Sequence, residues 1–249
     1  MMHNLGFFAI LLFIVAVKLY PVYARHQANR TTEERKLFAW KHGFTFNTES
    51  ANLPEKLHHF ALFTLGDVGR SVHHLLEGYS FTHTLQLFDY EHVTRVTRYG
   101  RYGPIDRPVR QTAILLTTHK PVELPYLTLQ AKNVREPNHP YFGATNIHID
   151  DMRFTEMFLL QGENRAVIKN LFAPDFVQTF LHLHCRATIE TKGGQFLFYY
   201  PGRVFKPGPP LDDFLAQAQT VFDLFVQQTQ DVDTSLTWLK ASAKQSEPA

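Results

Sequence analysis

Ser80-Phe81-Thr82-His83-Thr84-Leu85-Gln86-Leu87-Phe88-Asp89-Tyr90 is the stretch whose reading decides the fold. Along it Phe81, His83, Leu85 and Leu87 share one face, and Thr82, Thr84 and Gln86 share the other. A period of two over this length marks a half-buried β-strand.

Working outward from that strand, Val93 to Arg110 reads as a long loop, because Gly100, Gly103, Pro104 and Pro108 interrupt it. Gln111 to Thr118 and Tyr126 to Gln130 read as further strands, separated by Pro121 and Pro125. Lys132 to Pro140 is a polar loop, and Asn146 to Ile149 and Phe154 to Leu160 are expected strands. Asn164 to Phe172 and Pro174 to Leu183 form a broken helix, with Pro174 suited to the first turn of its second piece. Arg186 to Glu190 and Gln195 to Tyr200 form a hairpin around Lys192-Gly193-Gly194.

The last element is an amphipathic helix. Leu211, Phe214, Leu215, Ala218, Val221, Phe222 and Phe225 recur at steps of three and four, and Asp212 and Asp213 suit its first turn. On the other side of the opening stretch, Leu53 to Phe60 reads as a short helix, Phe60 to Leu65 as a strand, and Phe44 to Phe46 as a short strand. No alternation of strand, helix and strand is present. The expected class is therefore α+β, a mostly antiparallel sheet with a mid-chain broken helix and a C-terminal amphipathic helix.

The N-terminus adds one expectation. Leu5 to Val17 is an unbroken apolar run, Lys18 interrupts it, and Leu19 to Tyr23 is largely apolar again. As a helix, Leu5 to Tyr23 would rise roughly 28 Å, close to the hydrocarbon thickness of a bilayer. A cleaved signal peptide is the competing reading, but no Lys or Arg precedes the run. Arg25, Arg30, Arg35 and Lys36 follow it, which by the positive-inside rule places the rest of the chain in the cytoplasm. The expected organisation is a transmembrane anchor over 1–23, a juxtamembrane helix over 24–42, one soluble α+β domain over 43–240 and a disordered tail over 241–249. The expected location is the inner membrane, single-pass, with the bilayer itself as one partner.

Composition narrows function only by exclusion. The net charge of +2 does not by itself imply a nucleic-acid partner, and the single cysteine, Cys185, allows no internal disulfide. The fourteen histidines include His58-His59, His73-His74 and His182-x-His184-Cys185, none at the spacing of a zinc motif. No nucleotide-binding glycine loop and no nucleophile elbow is present. Asp89, His83 and the Asp150-Asp151 pair are the candidates for acid/base work, although neighbouring acids at a strand end more often cap or turn the chain. No cofactor and no metal is expected.

The most pronounced feature is the basic loop. Arg95, Arg98, Arg101, Arg107 and Arg110, interleaved with Tyr99 and Tyr102, face only Glu91 and Asp106 in opposition. Arginine and tyrosine on one loop suit an anionic headgroup or single-stranded nucleic acid, and behind a membrane tether lipid is the closer partner. An anionic lipid or a protein partner is therefore expected, and nucleic acid is not. The expected function is a membrane-anchored, non-catalytic binding or scaffold module facing the cytoplasm. The alternatives are an enzyme with an unrecognised acid/base site and an accessory subunit of a membrane complex.

Several segments, taken in order, carry a resemblance. They are Gly43-Phe44-Thr45-Phe46, Phe60-Ala61-Leu62-Phe63, Leu87-Phe88-Asp89-Tyr90, Gln111-Thr112 and Leu124-Pro125. Gly143 with Asn146-Ile147-His148-Ile149-Asp150, then Leu159-Leu160-Gln161-Gly162, Leu171-Phe172 and Phe198-Tyr199-Tyr200, continue the series. From Lys41 to Val226 the chain resembles an uncharacterised bacterial family with an N-terminal membrane anchor and one soluble α+β domain. Asn146-Ile147-His148-Ile149 departs from the Asp-Ile-Asp-Phe frequent in such relatives, and the basic loop is this chain's own. The resemblance implies a bacterial origin and no activity.

Overall fold

The computed structural model describes residues 19–21, 26, 29–47, 57–64, 68–96, 105–132 and 145–245. A first helix, α1 (29–42), leads into β1 (Thr45–Asn47) and a short 3-10 turn (Ala61–Thr64). Four longer strands follow: β2 (Val68–Tyr79), β3 (His83–Val96), β4 (Ile105–Thr118) and β5 (Leu124–Ala131). Then come β6 (Thr145–Asn146), α2 (Met152–Met157), β7 (Phe158–Gly162), α3 (Arg165–Leu171) and α4 (Pro174–His182). The hairpin β8 (Thr188–Gly193) and β9 (Gln195–Tyr199) precedes the long α5 (Pro209–Gln245).

The nine strands described form one sheet in the order β1-β2-β3-β4-β9-β8-β5-β7-β6, and every pairing in it is antiparallel. Strand parity then sorts side chains between two cores. Leu85 and Leu87 of β3, Ile114 and Leu116 of β4, and Phe196 and Phe198 of β9 point to one face. There they meet the apolar sides of α1, α3, α4 and α5 in a core rich in phenylalanine. Phe88, Tyr90, Ala113, Leu115, Leu197 and Tyr199 point to the other face, where a smaller core lies under Leu57, Phe60, Leu62 and Phe63. From Phe88 to Tyr90 β3 is therefore buried on both sides, not one. Phe81 precedes the strand and is fully exposed.

The expected broken helix, the C-terminal helix and the β8–β9 hairpin stand where the sequence puts them, but several other elements differ. Of the short helix expected over Leu53 to Phe60, residues 57–60 are turn and the rest lies outside the described residues. β3 and β4 are one long hairpin in unbroken register from His83↔Thr118 to Val96↔Ile105, so most of the expected loop is strand. Pro108 is compatible with this because β9 pairs only with Ala113 to Thr117 of β4. The earlier half is laddered to β3 on one side and is an open edge on the other, where a missing N–H disrupts nothing. Residues 61–64 form a 3-10 turn in place of a strand. Phe154 to Leu160 divides into α2 and β7, because the Asp151 side chain accepts a hydrogen bond from the Phe154 N–H at 2.8 Å and caps a helix there.

The membrane expectations are corrected. Among the described residues no helix is long and apolar enough to cross a membrane. The physical reason is amphipathicity: α1 buries Phe38 and Ala39 but exposes Lys36 and Lys41, and α5 buries one stripe and carries Asp212, Asp223 and Asp231. The transmembrane helix in the expected fold class and the single-pass inner-membrane location fall with that finding. The expected span itself, Leu5 to Tyr23, lies outside the described residues apart from 19–21.

Candidate functional site

Asp89 is the hub of a polar cluster between α1 and the β2–β3–β4 end of the sheet. Parity puts it on the helix-covered face, opposite Phe88 and Tyr90. Its Oδ1 accepts from Arg35 Nη2 at 2.8 Å and from Thr112 Oγ1 at 2.7 Å. Its Oδ2 accepts from the same Arg35 nitrogen at 3.1 Å and pairs with His74 Nδ1 at 3.0 Å. Thr112 stands directly across the hairpin from Asp89, which explains their contact.

His74 arrives by way of an irregularity in β2. The register with β3 shifts between His73 and Leu76, and His74 takes a positive φ of 52°. A bulge with one residue in the left-handed region re-aims a side chain that regular pleating would place elsewhere. The far side of the ring, Nε2, lies 3.3 Å from Thr32 Oγ1 on α1.

Arg35 arrives from α1, three and four residues before the buried Phe38 and Ala39, and so on the same apolar stripe. Its side chain is 1% exposed and donates also to the Phe205 carbonyl at 2.7 Å. Phe205 in turn donates its N–H to Thr112 Oγ1 at 2.9 Å, fastening the 203–206 strap to the cluster. Burial pushes the Arg35 guanidinium below its ordinary value, and Asp89 pulls it back. Arg35 Nε and Nη1 are buried without a hydrogen-bond partner.

Beside the cluster opens a cavity of about 720 Å³. Arg30 and Arg35 of α1, His73 and His74 of β2, Asp89 and Glu91 of β3, Arg110 of β4, and Val204, Phe205 and Lys206 of the strap line it.

Of the residues proposed from sequence, Arg110 lies on this wall, paired with Glu91. Arg95 pairs with Asp106 at 3.0 Å across the hairpin, and Arg107 is exposed on β4. Arg98, Tyr99, Arg101 and Tyr102 lie outside the described residues. Asp89 meets His74, not His83; His83 packs against Phe222 and its pKa is lowered by burial. Asp151 caps α2 and Asp150 is exposed. Cys185 is buried and its thiol is pushed up to about 11, which suits packing and not nucleophilic attack. Among the described residues no three His, Cys, Asp or Glu side chains are grouped to hold a metal. Sequence reasoning missed Arg35 and His74. A charged residue on the apolar stripe of α1 was the available signal for Arg35; nothing local marked the bulge at His74.

A second buried acid sits on the other face. Glu190 accepts from Tyr199 Oη at 2.7 Å, from the Leu62 N–H at 3.1 Å and from the Ala61 N–H. Burial pushes its carboxyl up to about 7 in spite of these donors.

Fold and site define an α+β protein with one antiparallel sheet, helices over one face, and a buried arginine–aspartate–histidine cluster beside a cavity. No protein-family model matches the chain, and no curated protein matches it. Among solved structures it is similar to the crystal structure of the mycobacterial trehalose monomycolate transport factor A. The two share 18% identity with a TM-score of 0.54, over 78% of this chain and 93% of that one. At that identity the likeness is one of fold.

Proposed function

We propose that the protein is a non-catalytic binding module whose ligand sits in the cavity beside the Arg35–Asp89–His74 cluster. The observation that carries the reading is the cavity itself. At about 720 Å³ it falls in the size range of small-molecule sites, with several charged and polar side chains on its wall. Its wall is built from paired strands and a fastened helix, a rigid frame for recognition. The protein of like fold is by name a transport factor, which supports binding over catalysis. The test is a thermal-shift screen of a metabolite extract with the wild type and with Val204→Trp, which adds bulk at an exposed wall position outside the cluster. Compounds that raise the melting temperature of the wild type but not of the variant are expected. Equal shifts in both proteins, or none in either, would sink the reading.

One observation favours a second reading, an acid/base enzyme. Thr32 Oγ1, His74 and Asp89 form a hydroxyl–imidazole–carboxylate chain of the kind used for nucleophilic attack. Arg35 weighs against it, since it already neutralises the carboxylate that would stabilise an imidazolium. Hydrolysis of p-nitrophenyl esters by the wild type, lost in His74→Ala, would favour this reading; equal rates would remove it.

A further inference from the structure

Resting on the binding reading above, we propose that the cavity ligand carries a phosphate-type oxyanion, held by Arg110 and Lys206 over the buried charge of Arg35. Donors and acceptors around the cavity are unequally satisfied. Four basic side chains line the cavity against three acidic ones. Each acid already has a basic partner: Glu34 pairs with Arg30, Asp89 with Arg35 and Glu91 with Arg110.

Pairing the charges leaves Lys206 over. It is exposed on the strap and makes no ion pair among the described residues. Asp89 is also filled as an acceptor, since each of its oxygens takes two contacts.

The donors are not filled. Arg110 engages Glu91 through Nε, which leaves the two terminal nitrogens of its guanidinium. Arg35 keeps Nε and Nη1 without partners, but both are shielded from water, so Arg35 adds positive charge behind the wall and no donor on it. A wall with spare donors on Arg110 and Lys206, and with its central carboxylate, Asp89, already filled, favours a ligand rich in acceptors and negative in charge. A phosphate group answers that description, and guanidinium forks match its geometry. A neutral or cationic ligand would find no free acceptor on Asp89 and would leave the Lys206 charge without a counter-ion.

Titration calorimetry in phosphate-free buffer tests the inference. The probes are inorganic phosphate, glycerol 3-phosphate, glycerol, and phosphatidylcholine vesicles with and without phosphatidylglycerol. The variants are Lys206→Gln, whose side chain is exposed, and Arg110→Gln/Lys206→Gln. Glycerol 3-phosphate is expected to bind the wild type, glycerol is not, and the double variant is expected to weaken binding roughly tenfold to a hundredfold. The single variant guards against loss of fold, and a smaller loss of the same kind is expected from it. Binding to the soluble phosphates identifies a free ester as the source. Binding only to the vesicles with phosphatidylglycerol identifies a headgroup, and either supports the oxyanion.

Equal affinity in wild type and both variants overturns the inference. So does the absence of binding to every phosphate probe while the metabolite screen still separates wild type from Val204→Trp, in which case the binding reading survives alone. Failure of that screen as well removes both.

Discussion

Arg35 and Asp89 show how much a single partner decides. The pair is buried, with Arg35 1% exposed and Asp89 12%. Asp89→Ala would leave a guanidinium without its counter-charge in a place water does not reach. The expected loss is about 3–5 kcal/mol of stability, read by urea denaturation. Arg35→Met combined with Asp89→Leu removes both charges and is expected to recover most of that loss; a double variant as unstable as the single one would contradict this account. Glu190 gives a second residue-scale prediction, with its sign fixed by the direction of its shift. Its carboxyl is raised to about 7 in the folded protein from an ordinary value near 4.5, so the folded state holds the proton more tightly than the unfolded one. Stability is then greatest below the unfolded pKa and falls as pH rises from about 4.5 to 7, by about 3 kcal/mol in all. Glu190→Gln is expected to flatten that slope in denaturation curves taken across the same range. An unchanged slope would show that another group carries it.

At the scale of elements, close packing is the constraint that can be tested. Gly162 ends β7 opposite Leu127 of β5, and a Cβ there would stand 2.2 Å from Ile168 Cδ1 and 2.7 Å from the Tyr126 carbonyl oxygen. The isoleucine tip can turn, but the strand carbonyl cannot, so Gly162→Ala is expected to destabilise the protein by about 1–3 kcal/mol. Phe225 joins α5 to the rest through ring contacts with Phe172, Phe176, Phe180 and Phe196. Phe225→Ala is expected to remove about 3–5 kcal/mol, seen as a lowered melting temperature. The elements legible in the sequence were the long periodic ones. α5 repeats its apolar residues over several turns, and the β8–β9 hairpin has its glycine turn between two alternating runs. Phe154 to Leu160 and Phe60 to Leu65 were misread, because an apolar run that short does not separate strand from helix by period. The Asp151 cap settled the first, and a turn held by Glu190 the second.

For the whole molecule, the two cores on either side of the sheet are unequal. The helix-covered face holds most of the buried side chains, and the 57–64 segment covers the other with few. Amide exchange followed by mass spectrometry is therefore expected to show the 57–64 segment opening before the central strands. In Glu190→Gln that opening is expected to quicken, since Glu190 accepts from Ala61 and Leu62 through separate oxygens and the amide would set its NH2 donor against one of those N–H groups. Exchange of 57–64 as slow as that of β4 would show the smaller core to be as firm as the larger. The candidate site, by contrast, was only partly legible. Asp89 and Arg110 were named as candidates, whereas Arg35 was read only as a charge flanking the apolar run, His74 only as one of a histidine pair, and Lys206 not at all.

By itself the sequence determined which faces the strands and helices bury, and hence an antiparallel sheet with helices to one side. Period is a local property, carried by neighbours a few residues apart. Only the tertiary structure decided which residues meet. Arg35 reaches Asp89 and the Phe205 carbonyl, and Glu190 reaches Ala61 and Leu62, all from distant parts of the chain. Parity assigns a side chain to a face but not to a partner. The partner is fixed by strand register, by one bulge at His74, and by the packing of α1 against the completed sheet.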